Sequence, residues 1–376
     1  MNFEIIPSQL YFWVVDSDFV PPKNTQDIYF STEFELIYTS FFADFGPLDI
    51  GKTYEFCRLM EKFIEKSNKS NVKIIYYCQN HPYTMLNSAV LIISYMIFVR
   101  NCTLFEAYGP FYESKSFTTY RDAAFCLNTF PITLLDCAMA MRRVKDLYHY
   151  DHASFDHLSF MHLTQLQNGD ISWIVPHKFI AFSGPMSKRR VLESGKYALS
   201  ASDYVPLFQK LGVTCVIRFN NKCYNKNVFT DAGIRHIDLF YEDGGNPTQM
   251  IMQKFLQVCE KEKGAIAVHC KAGLGRTGTN IAAYMIKHYD YSAREASAWC
   301  RICRPGSVVG PQQQFLVSVE SQLKAEGRAW RQRYGYDLLL QNSIKRPNEE
   351  FLQQFGLADE EKSLKKLRSG FSQFST

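Results

Sequence analysis

Two short apolar runs set the rhythm of the chain: Lys73–Cys78 (KIIYYC) and Ala265–Cys270 (AIAVHC). Each is strand-length, bounded by polar residues and closed by a cysteine, the pattern of a buried strand. After each cysteine comes a polar loop and then a helical run containing Tyr-Met-Ile, at Tyr95–Ile97 and Tyr284–Ile286. A second helix is predicted after each. Thr103-Leu104-Phe105-Glu106 and Ser292-Ala293-Arg294-Glu295 are both capping boxes, in which hydroxyl and carboxylate satisfy each other's free amides. The two copies predict two α/β domains of related architecture in tandem, the second with the tighter loop. The most apolar run, Ala89–Val99, is too short to cross a bilayer, ends at Arg100, and reads as a core helix.

The rhythm lapses over Leu147–Asp170. That segment has no Lys or Arg, carries His149, His152, His157 and His162, and ends on the Asn168-Gly169 turn signal. It predicts a partly helical linker (147–170) between domains at 1–146 and 171–325. The charged tail, 326–376, is expected to be a loosely packed helix followed by disorder, with a weak basic cluster at Lys365-Lys366-Leu367-Arg368.

Composition narrows the classes. Hydrophobic residues make up 46% and charged residues 21%, which excludes disordered, collagenous and coiled-coil chains. A net charge of +5 suits anionic ligands, yet is too small for a nucleic-acid footprint. Eleven cysteines spread through apolar runs, with no signal peptide ahead of them, predict reduced thiols in a cytosolic or nuclear protein. Cys300 and Cys303 lie at helical spacing with no second pair, so they read as buried thiols and no metal is expected.

The chemistry concentrates in Val268-His269-Cys270-Lys271-Ala272-Gly273-Leu274-Gly275-Arg276-Thr277-Gly278. A cysteine closes a strand, five residues intervene, and an arginine opens a helix. Gly273 and Gly275 let Lys271–Gly275 curl so that successive amides form an anion nest, capped by the positive helix end. Arg276 can fork two phosphate oxygens, as a lysine cannot. A thiol in such a field ionises well below its ordinary range, making Cys270 a nucleophile against phosphorus. Thr277 can hydrogen-bond the sulfur and ease its departure.

Thiolate attack needs an acid for the leaving oxygen. His236–Phe240 reads as a strand, and the next helix is expected to start at Asn246-Pro247 and stop at Gly264. In a parallel sheet the intervening loop emerges beside the cysteine loop. Its candidate acids are Asp243, then Glu242, then Asp238. The same carboxylate would then activate water against the phosphocysteine, and Gln312, Gln313 and Gln314, in a loop after Gly310-Pro311, could position that water. His269 is a supporting residue. In the first copy Thr84 falls where the arginine would stand and the loop lacks glycine, so that domain cannot hold a phosphate.

At these residues the chain resembles the dual-specificity protein phosphatases of the cell-division-cycle-fourteen family. The resemblance extends to Pro22–Asp27, Ala43–Leu48, Asn168–Pro185, Phe229–Gly233 and Gly264–Gln313. It implies two tandem dual-specificity-phosphatase-like domains, each a mixed sheet flanked by helices, with only the second catalytic. It assigns nucleophile, phosphate clamp and acid to Cys270, Arg276 and Asp243, without a cofactor. The implied substrates are phosphoproteins carrying phosphoserine followed by proline. The implied role is reversal of cyclin-dependent phosphorylation in mitotic exit, cytokinesis or centrosome and cilium function. Nucleus and cytoplasm, with nucleolus, spindle pole or basal body, are the implied locations. Neither nucleic acid nor membrane insertion is implied.

The resemblance also implies an acidic groove between domains. Asp151 and Asp156 are its expected carboxylates, giving a weak preference for a downstream basic residue that fades as the linker histidines protonate. An inositol-lipid phosphatase would carry a lysine where Leu274 stands. A catalytically dead adaptor would not need Cys270, Arg276 and Asp243 together.

Overall fold

The computed structural model describes residues 1–335 except 115, 126–127, 192–194 and 196. The basic cluster at Lys365–Arg368 therefore lies outside the described residues.

The N-terminal half runs β1 (Asn2–Ile6), β2 (Leu10–Val15), β3 (Ile28–Phe30), α1 (Ile50–Ser70), β4 (Ile74–Gln79), α2 (Pro82–Phe98), α3 (Leu104–Tyr108) and α4 (Leu134–Asp146). A short α5 (His157–Leu163) bridges to the second half. There follow β5 (Ile171–Val175), β6 (Phe179–Phe182), β7 (Arg190–Val191), β8 (Tyr197–Ala198), α6 (Ala201–Lys210), β9 (Val213–Arg218), α7 (Asn227–Thr230) and β10 (Arg235–Asp238). The chain closes with α8 (Gln249–Lys261), β11 (Ala265–His269), α9 (Gly275–Tyr289), α10 (Ala293–Cys303) and α11 (Pro311–Tyr334).

Besides a separate two-stranded ribbon in which β7 pairs with β8, the two larger sheets have the orders β1-β2-β4-β3 and β5-β6-β11-β9-β10. In each, an antiparallel hairpin (β1–β2, β5–β6) leads into parallel strands. β4 and β11, the two cysteine-ended runs, take the same place beside that hairpin. Both are buried on both faces, which is why they read as continuous apolar runs. The tandem repeat is therefore present in the topology, and the second sheet adds one strand, β10.

The second helix of the repeat differs from expectation. The capping box at Thr103 and Glu106 forms, but α3 stops after five residues as Gly109-Pro110 turns the chain into a 3₁₀ turn. The helix that packs on α2 as α10 packs on α9 is α4, which carries its own box, Thr133 with Asp136. A proline has no amide to extend a helix, so the continuation is deferred past a long connection.

One apolar core runs through both halves. α4 lies on α10, and Arg294 grips the Asp136 carboxylate with two hydrogen bonds of 2.9 Å. His149 Nδ1 meets the Tyr291 hydroxyl at 3.2 Å. The boundary expected at 325 falls inside α11, which continues to Tyr334 and is packed. Arg331 donates to the carbonyls of Lys287 and His288 at 2.9 and 3.1 Å, and Gly327 admits the Lys287 carbonyl where a side chain would overlap it.

Candidate active site

The cysteine loop is built by tying down its carbonyls one after another. The Cys270 carbonyl accepts from His269 Nδ1 at 3.0 Å, that of Lys271 from the Gly184 amide at 3.0 Å. The carbonyls of Ala272 and Gly273 accept from Arg304 Nη2 and Nε at 3.0 and 2.9 Å, and that of Leu274 from the Gly278 amide at 2.9 Å. In a trans peptide the next N–H points opposite to the carbonyl, so the amides of Lys271 to Gly275 face the loop's centre. That is an anion nest at the N-terminus of the 15-residue α9. Gly273 has φ +69°, and a methyl group on it would overlap the Phe182 carbonyl.

Cys270 sits at the floor of this nest, 3% exposed. Arg276 rises beside it, its Nη1 donating to the carbonyls of Tyr241 and Phe219 at 2.8 and 3.3 Å. Its Nη2 lies 3.1 Å from Asp243 Oδ1, and its Nε, though buried, has no partner among the described residues. A buried, undirected guanidinium N–H is costly, and an oxyanion would satisfy it. The buried Thr277 hydroxyl likewise has no partner among the described residues.

Behind the loop a buried chain of hydrogen bonds sets the tautomer of His269. Because Nδ1 donates to the Cys270 carbonyl, Nε2 accepts from the Tyr224 hydroxyl at 2.7 Å, which in turn meets His236 Nε2 at 2.8 Å. Burial drives the His269 pKa down to about 3 and that of His236 to about 4. Both rings stay neutral, which preserves this donor order.

Of the three candidate acids, only Asp243 reaches Arg276; Asp238 is paired with Arg218 at 2.7 Å, and Glu242 is exposed. The helix after this loop starts two residues later than expected, at Gln249 with Thr248 as cap, and ends at Lys261.

The three glutamines part ways, and they stand in the first turn of α11 rather than in a loop. Gln312 packs on Gly275, accepts from the Val309 amide at 3.1 Å and donates to the Gly245 carbonyl at 3.0 Å, joining the cysteine loop to the acid loop. Gln313 is buried between Arg301 and Asp122. Gln314 is exposed and bonded to Thr129, away from the site.

Sequence reasoning missed Arg304, which holds two loop carbonyls while its guanidinium is locked on Asp170 at 2.6 and 2.9 Å. It also missed Tyr224, and the brace in which Asn280 donates to the Tyr241 hydroxyl and the Arg276 carbonyl at 2.8 Å. A signal existed for Arg304. Arginines at 301 and 304 flanking the apolar Ile302-Cys303 must bury charge, and buried guanidinium groups are kept where they bind something. Cys300 and Cys303 are buried on α10, where burial pushes the Cys300 thiol up to about 12.

The first-copy site is different in kind. Burial pushes the Cys78 thiol up to about 12. The nearby cavity of about 340 Å³ is lined by Glu33 and Asp44, with His81 and Thr84, and among the described residues by no Lys or Arg. Such a lining repels a phosphate.

Between the halves runs a groove of about 570 Å³, reaching Ala272 and Leu274 of the cysteine loop. Its acidic lining is Glu35, Asp49, Glu55 and Asp170, with Phe160, Met161 and Thr164 of the linker. Asp151 and Asp156, expected to supply it, do not line it. Asp156 caps α5 through the Ser159 amide, and Asp151 closes a turn on Ser154. His149 and His152 are buried. Short polar residues at a helix start are drawn to its free amides, which a sequence-only groove assignment overlooked.

Two family models match: "Dual specificity protein phosphatase, N-terminal half" over residues 4–144 and "Dual specificity phosphatase, catalytic domain" over 197–322. The human "Dual specificity protein phosphatase CDC14C" is 43% identical over 314 residues, covering 83% of this chain and 70% of that protein. The chain belongs to the CDC14 family. Mouse CDC14B, also named a dual specificity protein phosphatase, is 44% identical over 314 residues, or 83% of this chain. The chain spans 64% of the length of that relative, and 54% of mouse CDC14A. A solved structure titled "Crystal Structure of PTPMT1" aligns with TM-score 0.35 and 23% identity, over 43% of this chain and 99% of that one. Membership in the CDC14 family accords with the tandem of N-terminal and catalytic halves described above.

Proposed function

We propose that this protein is a cysteine-dependent, dual-specificity protein phosphatase that hydrolyses phosphoserine and phosphothreonine, and phosphotyrosine, through a phosphocysteine. The observation that carries the reading is the buried Nε of Arg276, without a partner among the described residues, at the end of a loop that starts at the buried Cys270 and whose carbonyls are all taken up by hydrogen bonds.

In the first step the Cys270 sulfur attacks phosphorus; the S–P bond forms as the P–O bond to the substrate breaks. Asp243 gives its proton to the departing oxygen. In the second step the Asp243 carboxylate takes a proton from water, the water oxygen bonds to phosphorus, and the sulfur leaves as thiolate. Thr277 donates to that sulfur, and Gln312 orients the water. The inward amides and Arg276 stabilise the charge on the equatorial oxygens in both steps.

The finer reading is a preference for phosphoserine followed by proline. It rests on family membership, and on the groove of about 570 Å³ that reaches Ala272 and Leu274 of the loop. It fits reversal of proline-directed phosphorylation in mitotic exit, cytokinesis or at centrosomes and cilia, in nucleus and cytoplasm. Comparing kcat/KM for paired phosphoserine peptides with proline or alanine next in sequence tests it. Equal values would remove the proline preference. Leu274 in place of a lysine speaks against an inositol-lipid substrate.

A further inference from the structure

The turn that carries Gln312 is held from both halves of the molecule. On the catalytic side, Arg301 donates from Nε and Nη2 to the carbonyls of Ser307 and Val308 at 3.1 and 3.0 Å, and from Nη2 to Gln313 Oε1 at 2.6 Å. On the other side stands Asp122, contributed by the N-terminal half and 3% exposed. Its Oδ2 accepts from the Gly310 amide and from Gln313 Nε2, the latter at 3.1 Å. Asp122 is itself fixed, because the preceding Arg121 exchanges both backbone hydrogen bonds with Phe45, at 2.8 and 3.1 Å. The turn it holds touches the catalytic loop: Val308 packs on Gly278, and Gln312 on Gly275.

We infer that Asp122 is a positioning residue for phosphocysteine hydrolysis: the N-terminal half, through Asp122 and Gln313, sets the place of Gln312 above the cysteine loop. The inference rests on the reading of Gln312 as the residue that orients water. A carboxylate shared between a backbone amide and a side-chain amide is a strong, directional anchor. Losing it frees the α11 start to shift, and sub-ångström shifts are what positioned chemistry is sensitive to. The role falls on the second step, since the bonds of Asp122 and Gln313 run to Gly310, Arg301 and each other and not to Cys270, Arg276 or Asp243.

The test is rapid-quench kinetics with p-nitrophenyl phosphate, which separates phosphoenzyme formation from its breakdown. In Asp122→Asn and in Gln313→Leu, breakdown should slow by about tenfold while formation stays within about twofold of the parent. The double variant Asp122→Asn with Gln312→Ala should be no slower in breakdown than Gln312→Ala alone, because both act through one side chain. Circular dichroism accompanies each variant, and if Asp122→Asn fails to fold, Gln313→Leu decides by the same criteria. Normal breakdown in the Asp122 and Gln313 variants, with Gln312→Ala slow, overturns the inference alone. Equal slowing of both steps, or additive effects in the double variant, also overturns it. Normal breakdown in Gln312→Ala overturns the reading on which it rests.

Discussion

Asp243 Oδ1 lies 3.1 Å from Arg276 Nη2, although Asp243 stands on the loop after β10 and Arg276 in the first turn of α9, after β11. The carboxylate is largely exposed at 66%, the guanidinium buried at 3%. An arriving phosphate would take the guanidinium for itself and leave Asp243 over the oxygen that departs.

Asp243→Ala should therefore slow a phosphoserine peptide by roughly two to four orders of magnitude, the scale of a lost general acid. An aryl phosphate, whose leaving group needs less protonation, should suffer less. Steady-state kcat/KM on both substrates decides it. Equal losses, or the same pattern from Glu242→Ala, would show that another group is the acid.

Arg276→Lys should lose about two to three orders of magnitude in kcat/KM on any phosphate ester, the scale of a lost oxyanion donor. Nη1 is committed to the carbonyls of Tyr241 and Phe219, leaving Nε for phosphate. An ammonium group cannot serve both directions at once. Near-parental activity in this variant would take Arg276 out of the mechanism.

The two cysteine-ended strands, the capping boxes and the spacing of the cysteine loop were legible because each is local. Apolar runs, capping boxes and the Cys-to-Arg spacing depend on residues close in sequence. Arg304 on Asp170, Asp122 on Gln313 and Tyr224 between two histidines were not legible, since each joins residues that only the fold brings together. The groove acids were misplaced for the same reason. Asp151 and Asp156 are two of the linker's three acidic side chains, but helix and turn amides had a prior claim on them, and it is the third, Asp170, that lines the groove.

Acid should destabilise the fold before the carboxylates protonate. Burial holds His149 and His269 at about 3 and His236 at about 4, against an ordinary 6.5, so the unfolded chain binds protons that the folded one refuses. Their contribution is complete above about pH 6.5 and is lost as pH falls towards those depressed values, by about 2 kcal/mol per histidine at pH 5. Urea unfolding at pH 7.5 and pH 5 measures it. His149→Gln should be less stable at pH 7.5 and fall less steeply; an unchanged slope would mean that His149 does not resist protonation.

Glu35 lines the groove and is exposed, whereas Asp49 and Asp170 are engaged by Lys52 and Arg304. Preference for a lysine downstream of the phosphoserine should be modest, and Glu35→Gln should reduce it by no more than about fivefold, the limit for one exposed ion pair. Peptide pairs with and without that lysine, assayed at low and high salt, give the ratio. A preference that survives both the substitution and high salt would place the basic-residue contact elsewhere.

The central claim is that phosphorus passes through the sulfur of Cys270. Acid quench during turnover of a radiolabelled phosphopeptide, followed by peptide mapping, locates the intermediate directly. The label should appear on the peptide containing Cys270, in an S–P bond that survives the brief quench and is cleaved by iodine, and should vanish in a folded Cys270→Ser protein that no longer turns over. Label on any other residue, or sustained turnover by that variant, would contradict the mechanism.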